Sequence, residues 1–191
     1  MVDQQRPEQL SSRTKLLRAA ETLMREQGYA AVTSRQVAKK AGLKPQLVHY
    51  HFKSMDELFV ALYREFANRL LDKQRRALEA DNPLRVLWDL GAEAQGTLLT
   101  EFVALANHRK AIRSEIATLG RQYRRHQIAT MEKILHEHGG SQLVSNPAVA
   151  TLVLNCLSRG LAVENVFGIN EGHDEALAMV EEFIARFDEH Q

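Results

Sequence analysis

The sequence predicts an all-α protein of about nine helices, on three observations. Apolar residues recur at three- and four-residue spacing along most of the chain, the period of one helix face. The period-two alternation of a half-buried strand is nearly absent. Helix start and stop signals (capping Ser or Thr, glycine, proline) recur at helix-length intervals.

The first helix is expected from about Arg13 to Gln27, with Leu16, Leu17, Ala20, Leu23 and Met24 inward, ending at Gly28. Residues before Ser11 read as a polar arm. Thr33 with Gln36 three positions later forms a capping box, flanked by Val32 and Val37 as a hydrophobic staple, and the helix it opens stops at Ala41-Gly42. Pro45, with its preset φ, should start a short helix to about His51 as its first residue. Ser54 and Glu57 repeat the capping box ahead of a long helix to about Glu79, striped by Leu58, Leu62, Phe66 and Leu70 with Phe59 and Tyr63 beside them. Asn82-Pro83 ends it, since a residue before proline is pushed out of the helical region.

Further helical patterns lie near Leu84 to Leu90, Thr97 to Asn107 and Lys110 to His138, the last with Ile112, Ile116, Leu119 and Tyr123 on one face. "HGGSQLVSNP" reads as a loop. Asn146-Pro147 opens a helix to Phe167 that is apolar nearly all round as far as Leu157. A last helix from about Asp174 to Glu189 aligns Leu177, Val180, Ile184 and Phe187.

Composition bounds the function. The chain has 191 residues, 45% of them hydrophobic and 26% charged, values of an ordinary globular protein that buries roughly 70% of its unfolded surface. The single cysteine, Cys156, lies in "AVATLVLNCLSRG" and is expected to be a buried, inert thiol. The N-terminal stretch lacks the apolar core of a secretory signal and no apolar run has membrane-spanning length, so a cytoplasmic location and no membrane partner are expected. The G-x-G-x-x-G, G-x-x-x-x-G-K, H-E-x-x-H and paired-cysteine motifs are absent. No catalytic residue, metal or cofactor is therefore assigned.

The net charge of +1 conceals an asymmetry. Residues 1 to 53 carry ten Lys/Arg against four Asp/Glu, and residues 54 to 191 carry fifteen against twenty. The basic end is the candidate for a polyanion. Residues 1–53 are taken as one domain, arm plus helix-turn-helix, and 54–191 as a second, helical domain. Two helices joined by a glycine-containing turn of about four residues, supported by a preceding helix, form a helix-turn-helix. Helical rotation groups Val48 with Phe52 and turns Gln46, His49 and Tyr50 elsewhere. Gln46 suits adenine N6/N7, His49 a base or a phosphate, and Leu47 a thymine methyl. Tyr50, His51 and Lys53 suit phosphate oxygens, as does Ser34 at its helix N-terminus.

The stretch "GYAAVTSRQVAKKAGLKPQLVHYHFKSMDEL" resembles the N-terminal DNA-binding region of the TetR (tetracycline-repressor-like) family of bacterial regulators. The resemblance rests on Gly28 before an aromatic, Thr33, Val37-Ala38, Ala41-Gly42, Tyr50, Phe52 and Asp56-Glu57-Leu58. It implies DNA contacts at Ser34, Lys44, Pro45, Gln46, His49, Tyr50, His51 and Lys53 on double-stranded operator DNA. Lys44 stands where the family usually has a small hydroxylated cap, His49 where tyrosine is frequent, and Met55 where a phosphate-binding lysine is common. The resemblance further implies a homodimer through the last two helices and an effector pocket in the C-terminal domain.

The implied function is a regulator, most simply a repressor released from a palindromic operator by a small apolar or amphipathic molecule. Candidate pocket residues are Trp88, Phe102, Tyr123, Asn155 and Phe167, aromatics with a polar group of the kind that line apolar cavities. Glu101, His108 and Arg109 fall near a helix junction, as solvated surface or as partners of a polar ligand end. A helical interaction protein, or a regulator controlled by a protein partner with no small-molecule effector, stays open as the alternative.

Overall fold

The computed structural model describes residues 11–77, 80–94, 97–138 and 146–185. Among these it holds nine α-helices, a 3₁₀ turn at Tyr29–Ala31 and no strand. The helices are α1 (Ser12–Gln27), α2 (Ser34–Ala41), α3 (Gln46–His51), α4 (Met55–Ala77), α5 (Pro83–Ala94), α6 (Thr97–Ala106), α7 (Lys110–His138), α8 (Pro147–Val166) and α9 (His173–Ala185). The expected polar arm before Ser11, most of the expected loop after His138, and the stretches to Glu79 and to Glu189, with Phe187, expected as continuations of the fourth and last helices, lie outside the described residues.

Local chemistry explains most boundaries. Ser11 accepts from the Thr14 N–H at 3.2 Å to open α1, and Gly28, at φ 79°, ends it in a conformation open chiefly to glycine. Thr33 Oγ1 accepts from the Gln36 N–H at 3.3 Å, and the buried Val32 and Val37 fill the staple positions. The reciprocal half of that box is not made: the Thr33 N–H donates to the Ala31 carbonyl at 3.0 Å, because the 3₁₀ turn already presents an acceptor there. Gly42, left-handed at φ 66°, closes α2.

Pro45 has helical angles but precedes the first residue of α3 instead of being it, and no side chain caps this helix. Neither Pro45 at the cap position nor Lys44 before it has a side-chain acceptor, which accounts for the missing cap. The first turn is closed by the Lys44 and Pro45 carbonyls, which accept from Leu47 and Val48 at 3.0 and 3.1 Å. At α4, Ser54 Oγ accepts from the Glu57 N–H at 3.2 Å, while the Glu57 carboxylate reaches back to the Lys53 N–H at 2.8 Å, one residue beyond the usual partner. Asn82 and Asn146 cap α5 and α8, each followed by a proline that needs no acceptor.

Two apolar cores result. The first joins Leu16, Leu17 and Met24 of α1 with Val37, Val48 and Phe52, and continues through Leu58, Leu62 and Phe66 of α4 to Phe102 of α6 and Ile112 of α7. The second gathers Leu84 and Trp88 of α5, Met131 and Ile134 of α7, Ala150 of α8, and Val180 and Ile184 of α9. Only α7 contributes buried residues to both. Cys156 is exposed and not buried as expected. Helix α8 turns Ala150, Thr151 and Ser158 fully inward and packs Leu154, Leu157 and Leu161 partly buried against the second core, while Val149, Leu152, Val153, Val163 and Val166 stay exposed on this chain. No helix among the described residues is long and apolar enough to cross a membrane.

Candidate nucleic-acid interface and effector cavity

The α2–α3 unit presents one polar face. Val48 and Phe52 are buried to 1% exposure, and the Arg13 guanidinium lies 5.3 Å over the Phe52 ring. That anchoring leaves Lys44, Pro45, Gln46, His49 and Tyr50 exposed, with Lys53 just beyond and Ser34 half-buried at the start of α2. Tyr50 is 80% exposed, an unusual position for a tyrosine with nothing to cover. His51 is half-buried, edge-on to Tyr50 at 5.0 Å between ring centroids. Met55 packs partly buried against the first core, where its thioether replaces a cation by apolar contact. On α2, Lys40 is held by Glu26 at 2.6 Å, whereas Arg35 and Lys39 are exposed and extend the basic surface.

A second set of contacts ties this head to the rest of the molecule. The Glu101 carboxylate, on α6, accepts from the Tyr29 backbone N–H at 2.7 Å. A Cβ at Gly28 would lie 3.3 Å from the same carboxylate, so the approach is as close as the chain permits. Arg109 pairs with Asp56 at the start of α4 and lies over the Phe59 ring. His108 stacks at 6.5 Å from Tyr29. Of the residues expected at a helix junction, Glu101 and Arg109 are thus tied to the head, while His108 is exposed, as expected of solvated surface. Arg113 completes the junction by donating to the carbonyls of Ala106 and Asn107 at the end of α6.

A cavity of about 380 Å³ lies among α4, α5, α6, α7 and α8. Tyr63, Phe66, Ala67, Leu70 and Leu71 of α4 form one wall, and Leu99, Thr100 and Val103 of α6 another. Ile116, Leu119, Tyr123, Arg124 and Gln127 come from α7, and Asn155, Arg159 and Val163 from α8. Burial, and secondarily the nearby Glu115 carboxylate, pushes the Tyr63 hydroxyl up to about 12. Glu115 itself grips Arg64 through two bonds of 2.7 and 3.0 Å, bracing α4 against α7.

Of the residues expected to line a pocket, Tyr123 and Asn155 are on this wall. Trp88 instead lines a separate void of about 20 Å³, divided from the cavity by the Gln127–Asn155 amide pair at 3.3–3.4 Å. Phe102 is wholly buried, edge-on to Tyr63 at 5.0 Å in the first core. Phe167 ends α8 and is 73% exposed. The lining residues of α4 and the two arginines escaped the sequence reading, although the Tyr63-Phe66-Leu70 spacing marked the helix face that carries them.

Residues 16–62 match a family model described as bacterial regulatory proteins, tetR family. Over 68 residues the chain is 35% identical to the HTH-type transcriptional regulator BetI of Rhizobium meliloti, covering 36% of this chain and 34% of that protein. Over 81 residues it is 32% identical to the HTH-type transcriptional repressor KstR2 of Mycolicibacterium smegmatis, covering 42% of this chain and 40% of that one. The match thus spans less than half the length of either relative. In fold the chain resembles a transcriptional regulator from Saccharomonospora viridis solved in complex with choline, with a TM-score of 0.76, 19% identity, and coverage of 91% of this chain and 95% of that one.

Proposed function

Because the chain belongs to the tetR family of bacterial regulatory proteins, we propose that it is a homodimeric, ligand-responsive repressor of transcription. The observation that carries this reading is the α3 face, where Gln46, His49 and Tyr50 are exposed on a helix locked from behind by Val48 and Phe52. A rigid short helix with polar and aromatic groups outward is what a major groove accepts. Gln46 and His49 read base edges, while Ser34, Lys44, Pro45, Tyr50, His51 and Lys53 set register on the phosphates. Residues 1–53 act as the DNA-binding unit and 54–191 as the effector and dimer unit. The repressor named among the relatives supports the sign of regulation, and the choline complex in a similar fold supports a small-molecule effector.

Dimerisation is supported by the uncovered face of α8 and α9. Leu152, Val153, Val166, Phe167 and Met179 are each at least 50% exposed, more contiguous apolar surface than a solvated helix pair carries. Nothing lies within 4 Å of a Cβ placed on Gly160, which leaves room for close approach of a second helix. A two-fold dimer calls for a pseudo-palindromic operator.

The coupling route is short. Helix α6 turns Leu99, Thr100 and Val103 to the cavity and Glu101 to Tyr29 of the head. Helix α4 starts next to α3 and lines the cavity from about two turns later. A ligand that separates α4 from α6 therefore moves the head with them, and a coupling of ~1–3 kcal/mol loosens DNA by 5- to 150-fold.

The test is selection of duplexes from a random library by the purified protein at physiological salt. An enriched two-fold-symmetric site is expected; a folded protein that enriches nothing overturns the reading. With that site in hand, Lys53→Ala should weaken all duplexes alike and lower the salt slope by about one, whereas Gln46→Ala should relax preference at one base position.

A further inference from the structure

The charge on the cavity wall identifies the chemical class of the effector, an inference that rests on the ligand-responsive reading above. Two guanidiniums, Arg124 of α7 and Arg159 of α8, line the cavity, and among the described residues no Asp or Glu does. The two carboxylates of these helices that adjoin lining residues in sequence are engaged elsewhere: Glu115 holds Arg64, and Glu164 meets His173 at 2.9 Å. Arg124 is half-buried and Arg159 is exposed at the cavity rim, and neither forms an ion pair among the described residues. The opposite wall, from Tyr63, Phe66 and Leu70 to Val103, is apolar and aromatic.

We propose that the effector is an amphipathic anion, its apolar body against α4 and α6 and its carboxylate or phosphate head received by Arg124 and Arg159. Both guanidiniums are without a carboxylate partner among the described residues, and a guanidinium fork matches a carboxylate or phosphate better than any other group. A quaternary ammonium or other cation meets the reverse situation. Aromatic faces attract a cation, but here the same cavity sets two full positive charges against it, and no described residue on its wall is a carboxylate. The cavity has the size of a typical ligand pocket and shares its pattern of apolar lining with few convergent charges.

The experiment is calorimetric titration of the full-length protein with octanoate, decanoate and dodecanoate, and with the neutral and cationic counterparts decanol and decyltrimethylammonium, all kept below micelle formation. The carboxylates are expected to bind tightest. Arg124→Gln with Arg159→Gln should weaken them roughly tenfold or more, the usual loss when an ionised acceptor loses its charged donors, while leaving decanol unchanged. Circular dichroism of the double variant shows whether it is folded, and Arg121→Gln, exposed on α7 outside the cavity wall, is a control expected to bind like the wild type. Preference for decyltrimethylammonium, equal binding of all three head groups, no binding of any carboxylate, or a folded double variant that binds carboxylates as the wild type does would each overturn the proposal. None of these bears on operator selection, so failure here is separable from failure of the regulator reading.

Discussion

Tyr63 occupies a position where one hydroxyl reports on the packing around it. It is 5% exposed, edge-on to Phe102, and close enough to Glu115 to feel its charge, so both burial and repulsion oppose the phenolate. A folded value of about 12 against roughly 10 in the unfolded chain means that the neutral form favours folding. Its contribution is complete below about pH 10 and is lost as pH rises through the folded value, with a limiting slope near 1.4 kcal/mol per pH unit. Urea denaturation at a series of alkaline pH values should therefore show a steeper loss of stability for the wild type than for Tyr63→Phe. An alkaline absorbance titration should show a late-ionising tyrosine in the wild type that Tyr63→Phe removes.

At the scale of elements, the link between Glu101 and Tyr29 decides how firmly the head is held. Glu101→Ala leaves a half-buried N–H without its acceptor, at a cost of about 1–3 kcal/mol. Hydrogen exchange at the Tyr29 amide should quicken by tenfold or more in Glu101→Ala and less in Glu101→Gln, which keeps a neutral acceptor. An unchanged rate in the alanine variant would mean that other contacts restrain this turn. The helices themselves were legible because their signals are local: Thr33 before α2, Gly28 and Gly42 at C-termini, and Asn-Pro pairs before α5 and α8 each act within a few residues. The clasp was not, since its partners stand 72 residues apart and a glutamate in the pattern "EFVALA" reads as surface. The pocket was half legible for a related reason. Spacing shows that Phe102 and Tyr123 face inward, but whether an inward ring meets a void or another ring depends on the separation of helices, which no single helix encodes. Cys156 misled in the same way, because an apolar run looks identical whether its own chain or a second copy covers it.

For the whole molecule, the proposed dimer through the exposed α8–α9 face would tie DNA binding to assembly. Val153→Glu places a charge on a residue 56% exposed in the single chain, where folding tolerates it, but at a surface where a partner would bury it. Sedimentation should find a dimer for the wild type and a monomer of unchanged helical content for the variant, with symmetric duplexes bound more weakly. A variant that remains dimeric would place the interface elsewhere. The continuity of the first core has a further consequence, for how such a protein can acquire a new target. Exchange of a gene segment ending at Lys53 would bring in a foreign α1 to face Leu58, Leu62 and Phe66 of α4 and Phe102 of α6, so a hybrid would inherit the donor's reading face together with a mismatched interior. Point changes at Gln46 and His49 disturb no buried contact. Lineages of this architecture should therefore diversify their targets by drift along the outer face of α3, and an engineer grafting a head should carry α4 and the α6 face along with it.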